Sequence, residues 1–215
     1  MRGVLGRGVV KLVLASFIAG LTGVLAQVGF NLGPVPYTMQ NVGVVLAGLL
    51  LPLSYAFISM LLYLTLVFLG FPMGAGFQGG PAVILGYEGG YFLGFLLAAP
   101  ILSLMSRAYF RLVGRDLTTM KGRDFAVLVV VCAVSTLPIY LLGFIVFSFY
   151  AYPGSSLYAW SLNVDNSLNL KSGNPYLTLF VASALIFMPQ DFLMDHVIGI
   201  VIASALSRLM HFRGV

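Results

Sequence analysis

Apolar residues run along this chain almost without interruption, broken only by prolines, glycines and a few short polar segments. No Asp, Glu, Lys, Arg or His occurs from Leu12 to Tyr87, a stretch of 76 residues. One helical crossing of a bilayer takes about 20 residues, so this stretch holds more than one. The first span is expected at about 9–28. Pro34 and Pro36 follow in the turn Asn31-Leu32-Gly33-Pro34-Val35-Pro36, where two prolines block continuation of a helix. A second span is expected at about 37–52, and Pro52 sets up a tight connection to a third at about 54–70.

Residues 70–90 are apolar but too rich in glycine for a regular helix, with Gly70, Gly74, Gly76, Gly79, Gly80, Gly86, Gly89 and Gly90. Irregular backbone at membrane depth survives only when it is buried in protein or lines a cavity. The stretch is therefore a candidate lid or binding loop, with a plain surface connection as the alternative. A fourth span is expected at about 91–106 and a fifth at about 125–149, separated by the charged, aqueous segment 107–124. Segment 150–175 reads as an outer loop whose Tyr and Trp residues lie at the interface. Residues 176–188 are short for a span and fit a re-entrant or interfacial helix. Pro189 fits the first position of a sixth helix at about 189–209, although one long helix kinked at Pro189 has the same pattern.

Composition fits this reading. Sixty per cent of the residues are hydrophobic and 8% charged, which excludes a soluble enzyme, a disordered protein and a collagen-like chain. The expectation is an all-α integral membrane protein of six transmembrane helices, one domain spanning 1–215. The net charge of +5 does not point to nucleic acid, because the basic residues flank apolar segments. With both termini in the cytoplasm, ten of the eleven Lys and Arg residues lie inside and only Lys171 lies outside. Arg2, Arg7 and Lys11 before an apolar run also suit a secretory signal, but the run is long for one and further spans follow at once, so a retained first helix is expected. The absence of a visible internal repeat counts against an inverted-repeat transporter. Cys132 is the single cysteine, has no metal-ligand spacing and reads as a small core or lipid-facing residue.

Ionisable groups in apolar sequence are the natural functional candidates, because each is costly in lipid. Glu88, Asp191 and Asp195 qualify, whereas Asp165 sits in a polar loop and reads as solvated. Asp191 and Asp195 are four residues apart, which places them on one helical face. Asp191 is expected in the first turn of the sixth helix, where the dipole favours a carboxylate; it either caps that helix or contacts a substrate. Asp195-His196 is compatible with a proton relay, but no set of metal ligands accompanies it. Thr38, Gln40 and Asn41 offer donors and acceptors suited to an amide or ureido group, or else they satisfy a helix start. Gln78 and Tyr91 join them as candidates from the glycine-rich stretch. Ala15, Ala19 and Gly23 form a ridge of small residues that lets another helix approach, from this chain or from another subunit. The chain has no phosphate-binding loop, no G-x-S-x-G and no H-E-x-x-H.

The segment Gly33-Pro34-Val35-Pro36-Tyr37-Thr38-Met39-Gln40, followed by Leu46-Ala47-Gly48-Leu49-Leu50-Leu51, resembles the BioY family. Further matches lie in Leu69-Gly70-Phe71-Pro72, Gly89-Gly90-Tyr91, Ile139-Tyr140-Leu141-Leu142-Gly143 and Phe187-Met188-Pro189-Gln190-Asp191. The resemblance implies the fold and role of an S component: high-affinity binding of biotin or a close analogue, with no chemistry and no cofactor. It also implies partners, namely a transmembrane coupling subunit, which the Ala15/Ala19/Gly23 ridge would meet, and two ABC-type ATPases. The family's P-G-D-x-x-K reads Pro189-Gln190-Asp191-Phe192-Leu193-Met194 here, so Gln190 replaces a glycine and Met194 a lysine. These changes fall near the presumed pocket. Glu88 stands where a threonine is usual. The alternatives are an S component for another small vitamin-like ligand, or an intramembrane enzyme using Asp191 and Asp195.

Overall fold

The computed structural model describes residues 2–31, 35–170 and 172–212. The expectations placed on residues 32–34, Lys171 and Arg213 lie outside these. Four helical runs are long and apolar enough to cross a membrane: Gly8–Leu25, Gly89–Val113, Gly122–Tyr150 and Pro175–Leu209. Two shorter apolar helices, Gln40–Leu50 and Leu53–Phe68, pack among them. The chain is a multi-pass, all-helical membrane protein.

Helix α1 (Arg2–Leu25) leads into a hairpin of β1 (Gly29–Asn31) and β2 (Pro36–Thr38), antiparallel, with Phe30 opposite Tyr37. Helix α2 (Gln40–Leu50) ends where Leu51 adopts an extended conformation ahead of Pro52, the backbone a residue before proline prefers. With 11 residues α2 rises only about 16 Å, half the thickness of the hydrocarbon core. It is buried from Asn41 to Leu49 on every side, so it is apolar all round rather than striped. The space beyond its N-terminus is taken by the hairpin, and there the cleft described below opens.

Helix α3 (Leu53–Phe68) follows and packs against α1 and against the helical run Gly89–Val113. The glycine-rich connection after it holds a 3₁₀ turn at Ala75–Phe77 and a short helix α4 (Pro81–Ile84). It is tied down rather than loose. The Gln27 side chain donates to the Gly74 carbonyl at 2.9 Å and accepts from the Phe77 N–H at 2.8 Å. Phe77 has φ near 60°, a conformation costly for a bulky side chain, and this side-chain latch holds it.

Helix α5 (Gly89–Val113) is longer than the sequence suggested and closes on Gly114 in the left-handed conformation. Its Gly94 lies against α7, where a Cβ would come within 2.4 Å of the Ile139 Cα, so only glycine allows this approach. Helices α6 (Gly122–Ser135) and α7 (Leu137–Tyr150) form one run jointed at Thr136, ahead of Pro138. Cys132 is buried in the main core. The connection 150–175 carries a helix of its own, α8 (Ser156–Ser167). Asp165 on it is 4% exposed and accepts the Ser172 N–H, so it is a buried tie for the following turn rather than a solvated carboxylate.

The last run corrects the expectation of a short re-entrant segment plus a separate span. It is one interrupted helix, consisting of α9 (Pro175–Phe180), a π segment Val181–Leu185, α10 (Met188–Gln190), a second π segment Asp191–Asp195 and α11 (His196–Phe212). Pro189 lacks the N–H that would bond the Leu185 carbonyl and crowds that turn, which accounts for the break at 186–187. The helix restarts at Met188 with Phe187 as its N-cap, so Asp191 stands in the first turn after the break, as expected, its N–H bonded to the Phe187 carbonyl.

The small-residue ridge of α1 is likewise corrected. Ala15 is 1% exposed and Ala19 is fully buried, against the chain's own helices. The Ala15 carbonyl accepts the Ser59 hydroxyl at 2.8 Å, and Gly23 lies under Met73. A surface covered by its own chain is not free for another subunit. Overpacking a filled core costs about 1–3 kcal/mol. Ala15→Leu with Ala19→Leu is expected to lower the melting temperature of the purified chain itself, read by thermal denaturation in detergent. An unchanged melting temperature would return the ridge to a partner surface.

Candidate functional site

A cleft of about 610 Å³, partly open to the outside, lies between β2, the N-terminal ends of α2 and α5, the start of α7 and the break in the last helix. The reason for its place is local. The short α2, the glycine-rich connection and the helix break all leave irregular backbone at the same end of the bundle, and aromatic side chains fill around it.

Two of the three tyrosines that line the cleft point their hydroxyls at the helix break. Tyr91 donates to the Ser183 carbonyl at 2.5 Å, and Tyr37 to the Ile186 carbonyl at 2.7 Å. Both carbonyls belong to the irregular stretch 181–187, where partners from other elements are what a non-aqueous setting requires. The rings that remain face one another. Phe187 packs between Tyr37, at 4.5 Å between centroids, and Tyr91, at 6.4 Å, while Phe92 and Phe95 close the other wall.

Asp191 is the polar centre. Its carboxylate accepts the Tyr140 hydroxyl and faces the Asn41 side chain from α2. It is 6% exposed, and Asn41 is 7% exposed with its Oδ1 accepting no hydrogen bond among the described residues. Two acceptors, one charged, therefore line the same buried corner. Gln40 is committed elsewhere: its Oε1 accepts the Thr38 hydroxyl at 3.0 Å and its Nε2 donates to Tyr63 at 2.7 Å, which donates onward to the Met73 carbonyl. That chain ties β2, α2 and α3 to the glycine-rich connection and leaves Gln40 one N–H for a ligand. Gln190, which replaces the glycine, donates to the Thr38 carbonyl across the cleft at 3.4 Å. Glu88 lines the mouth; burial raises its carboxyl above the usual range, and the Tyr87 hydroxyl works against that shift.

Six of the eight sequence candidates meet here: Thr38, Gln40, Asn41, Glu88, Tyr91 and Asp191. Two do not. Gln78 is exposed and lines a separate shallow groove with Tyr87 and the other face of Glu88. Asp195 is fully buried behind the cleft, beside Asp191, Gln190 and His196. His196 stacks on Phe192 instead of facing the cleft, at 5.4 Å between centroids. Met194 also departs from expectation. It is 50% exposed and does not line the cleft, so the position of the family's lysine faces outward here. Among the cleft's lining residues there is no Lys, Arg or His. The sequence reading missed Tyr37, Tyr140, Phe92, Phe95 and Phe187. The spacing of Phe92 and Phe95 on one helix face was a visible signal, whereas Tyr140 comes from a helix far away in sequence.

Removing a tyrosine hydroxyl at the helix break leaves a buried carbonyl without that donor, at a cost of about 1–3 kcal/mol. Tyr91→Phe is expected to lower the melting temperature, and Tyr150→Phe, whose hydroxyl meets the Leu85 carbonyl at an exposed position, much less. Equal effects in the same melt would contradict the role given to Tyr91.

A family model described as the BioY family matches residues 5–212. Over 91 residues the chain is 48% identical to a probable biotin transporter BioY of Pyrococcus horikoshii, covering 42% of this chain and 56% of that protein. Over 96 residues it is 35% identical to the biotin transporter BioY of Thermotoga maritima, covering 45% and 57%. The chain spans about half the length of the curated relatives it matches. A crystal structure of the S-component for biotin from an ECF-type ABC transporter superposes with a TM-score of 0.70, covering 94% of this chain and 93% of that one, at 24% identity. This likeness establishes the fold.

Proposed function

The chain belongs to the BioY family, and we propose that it is the membrane-embedded substrate-binding component for biotin uptake. In this reading it binds the vitamin and does not transform it. A transmembrane coupling subunit and two ABC-type ATPases in the cell membrane supply the energy. The four long helical runs and the two shorter helices make six crossings of one substrate-binding domain, with both termini cytoplasmic and the cleft facing out.

The observation that carries the proposal is the buried corner formed by Asp191 and Asn41 beneath an aromatic wall. A cyclic urea presents two N–H donors and one carbonyl. The Asp191 carboxylate and the Asn41 Oδ1 take the donors, and the remaining Gln40 N–H meets the carbonyl. The apolar thioether ring packs on Phe187, Phe92 and Phe95.

The valerate tail is the harder part of the fit. Its carboxylate finds no cation among the lining residues, and an anion buried without one is costly. The tail therefore lies at the mouth, in contact with water. The same observation favours a second reading, a neutral vitamin-like ligand.

Both readings are tested by binding to the purified chain. A hydrogen bond to a charged group contributes about 1.5–3 kcal/mol, so Asp191→Ala should weaken biotin binding roughly ten- to a hundredfold. Unchanged affinity in a folded variant would remove Asp191 from the site. Biotin amide should compete about as well as biotin, and Met194→Lys should leave that ratio alone, because position 194 faces away. An amide that binds a hundredfold worse would mean that a cation reaches the tail. No binding of biotin or its amide would leave the neutral-ligand reading.

A further inference from the structure

At the opposite end of α5 lies a second, larger cavity of about 1060 Å³, partly open to its surroundings. It stands about 20 Å along the helix from the aromatic wall of the cleft. Arg107 and Arg111, four residues apart, line it from one face of α5, and Arg115 lines it from just past the helix end. The hydroxyls of Ser106 and Ser207 line it too.

The three arginines are not equivalent. Arg115 is paired with Asp124 at 2.8 Å, and its Nε is buried without an acceptor. Asp124 is further held by Tyr109 at 2.6 Å and by the Lys121 N–H at 2.8 Å. That assembly is a structural tie between α5 and the start of α6. Arg107 is half-buried and spends its Nε on the Ser103 hydroxyl at 3.2 Å. Among the described residues, no carboxylate forms an ion pair with Arg107 or Arg111. The one acid lining the cavity is Asp116. The Thr118 hydroxyl, with the Thr119 hydroxyl and both N–H groups, holds its carboxyl down to about 2. Its charge is thus present at neutral pH, but donors of its own turn already surround the Oδ1. The guanidinium groups of Arg107 and Arg111 therefore line an open space with no carboxylate paired to them among the described residues, whereas the Ser106 hydroxyl is spent on the Ser103 carbonyl.

Such a set of donors suits a phosphate, which planar guanidinium groups bind through paired N–H donors. The surroundings say where that phosphate comes from. Leu104, 60% exposed, and Leu112, 87% exposed, are apolar side chains left uncovered on the same stretch of the helix as Arg107 and Arg111. An apolar flank running into a basic pocket at a helix end has the shape of a lipid, chains on one side and headgroup on the other. Basic pockets of this kind between transmembrane helices take anionic headgroups. We infer that this cavity is a binding site for the phosphate headgroup of an anionic phospholipid, held by Arg107 and Arg111.

The test uses the full purified chain in detergent, with phosphatidylglycerol, phosphatidylcholine or inorganic phosphate added. Native mass spectrometry should show one phosphatidylglycerol retained per chain, at least tenfold over phosphatidylcholine, and that lipid should raise the melting temperature. Arg107→Gln with Arg111→Gln should lower retention at least fivefold and leave biotin binding at the far cleft unchanged, which also checks that the variant is folded. Arg107→Lys with Arg111→Lys keeps the charge, loses the forks and should fall between. Equal retention of the two lipids by the wild-type chain would overturn the inference, whatever the variants do. So would stabilisation by millimolar inorganic phosphate as large as that by the lipid, because the anion would then be a soluble one.

Discussion

Every backbone polar group inside a bilayer needs a partner within the protein, and the cleft exists because three irregular segments satisfy this rule together. The break at 181–187 hands carbonyls to Tyr37 and Tyr91. The hairpin before α2 is held from the other side by the Thr38, Gln40 and Tyr63 chain, which ends on the Met73 carbonyl. The glycine-rich connection is latched by Gln27. None of these segments could stand at that depth alone. The hydrogen bonds that make them tolerable also fix the walls of the cleft. The site is thus built largely from groups whose first duty is to the backbone, which leaves Asp191 and Asn41 as its main polar groups with capacity to spare.

This division of duty explains how much the sequence disclosed. Crossing segments were legible because bilayer thickness imposes a length on apolar runs, and the proline and glycine breaks fell where the helices do end. Six of the eight candidate residues converge because ionisable and amide groups in apolar sequence have few reasons to be there. What could not be seen was the face each residue takes in the last helix. A regular helix from Pro189 would carry Met194, three residues on, to the same face as Asp191. The π segment Asp191–Asp195 adds a residue to the turn and changes which side chains point inward. Periodicity arguments assume a constant 3.6 residues per turn, so they fail where a helix departs from it. The Ala15/Ala19 ridge failed for a different reason: small residues four apart signal close helix approach, without saying whose helix approaches.

The two ends of α5 show opposite electrostatic design. At the N-terminal end the lining holds Glu88 and Asp191 and no cation; at the C-terminal end it holds three arginines and one acid. The helix dipole does not account for this, because it would favour a carboxylate at the first end and a cation at the second without requiring cavities at either. Solvation accounts for more. At the basic end an arginine stem can lie along apolar surface while its charged head stays solvated. At the cleft end no such escape is open to Asp191, which sits 6% exposed and is compensated by neutral donors, Tyr140 above all.

That compensation bears on selectivity. A carboxylate held by a tyrosine hydroxyl and faced by an amide keeps acceptor capacity on its remaining lone pairs. In the proposed site it would reject a ligand that offers only acceptors, because such a ligand would leave an ionised group buried against a lone pair. It would favour one that offers N–H donors, and the Asn41 Oδ1 beside it would make the same demand a second time. A single acceptor would admit many donors. Two acceptors from different helices, α2 and the interrupted last helix, set both a distance and an angle, by which the geometry of a ligand's donors would be read. The break in the last helix then has a consequence beyond backbone satisfaction: it decides where Asp191 stands relative to Asn41, and hence which ring fits between them.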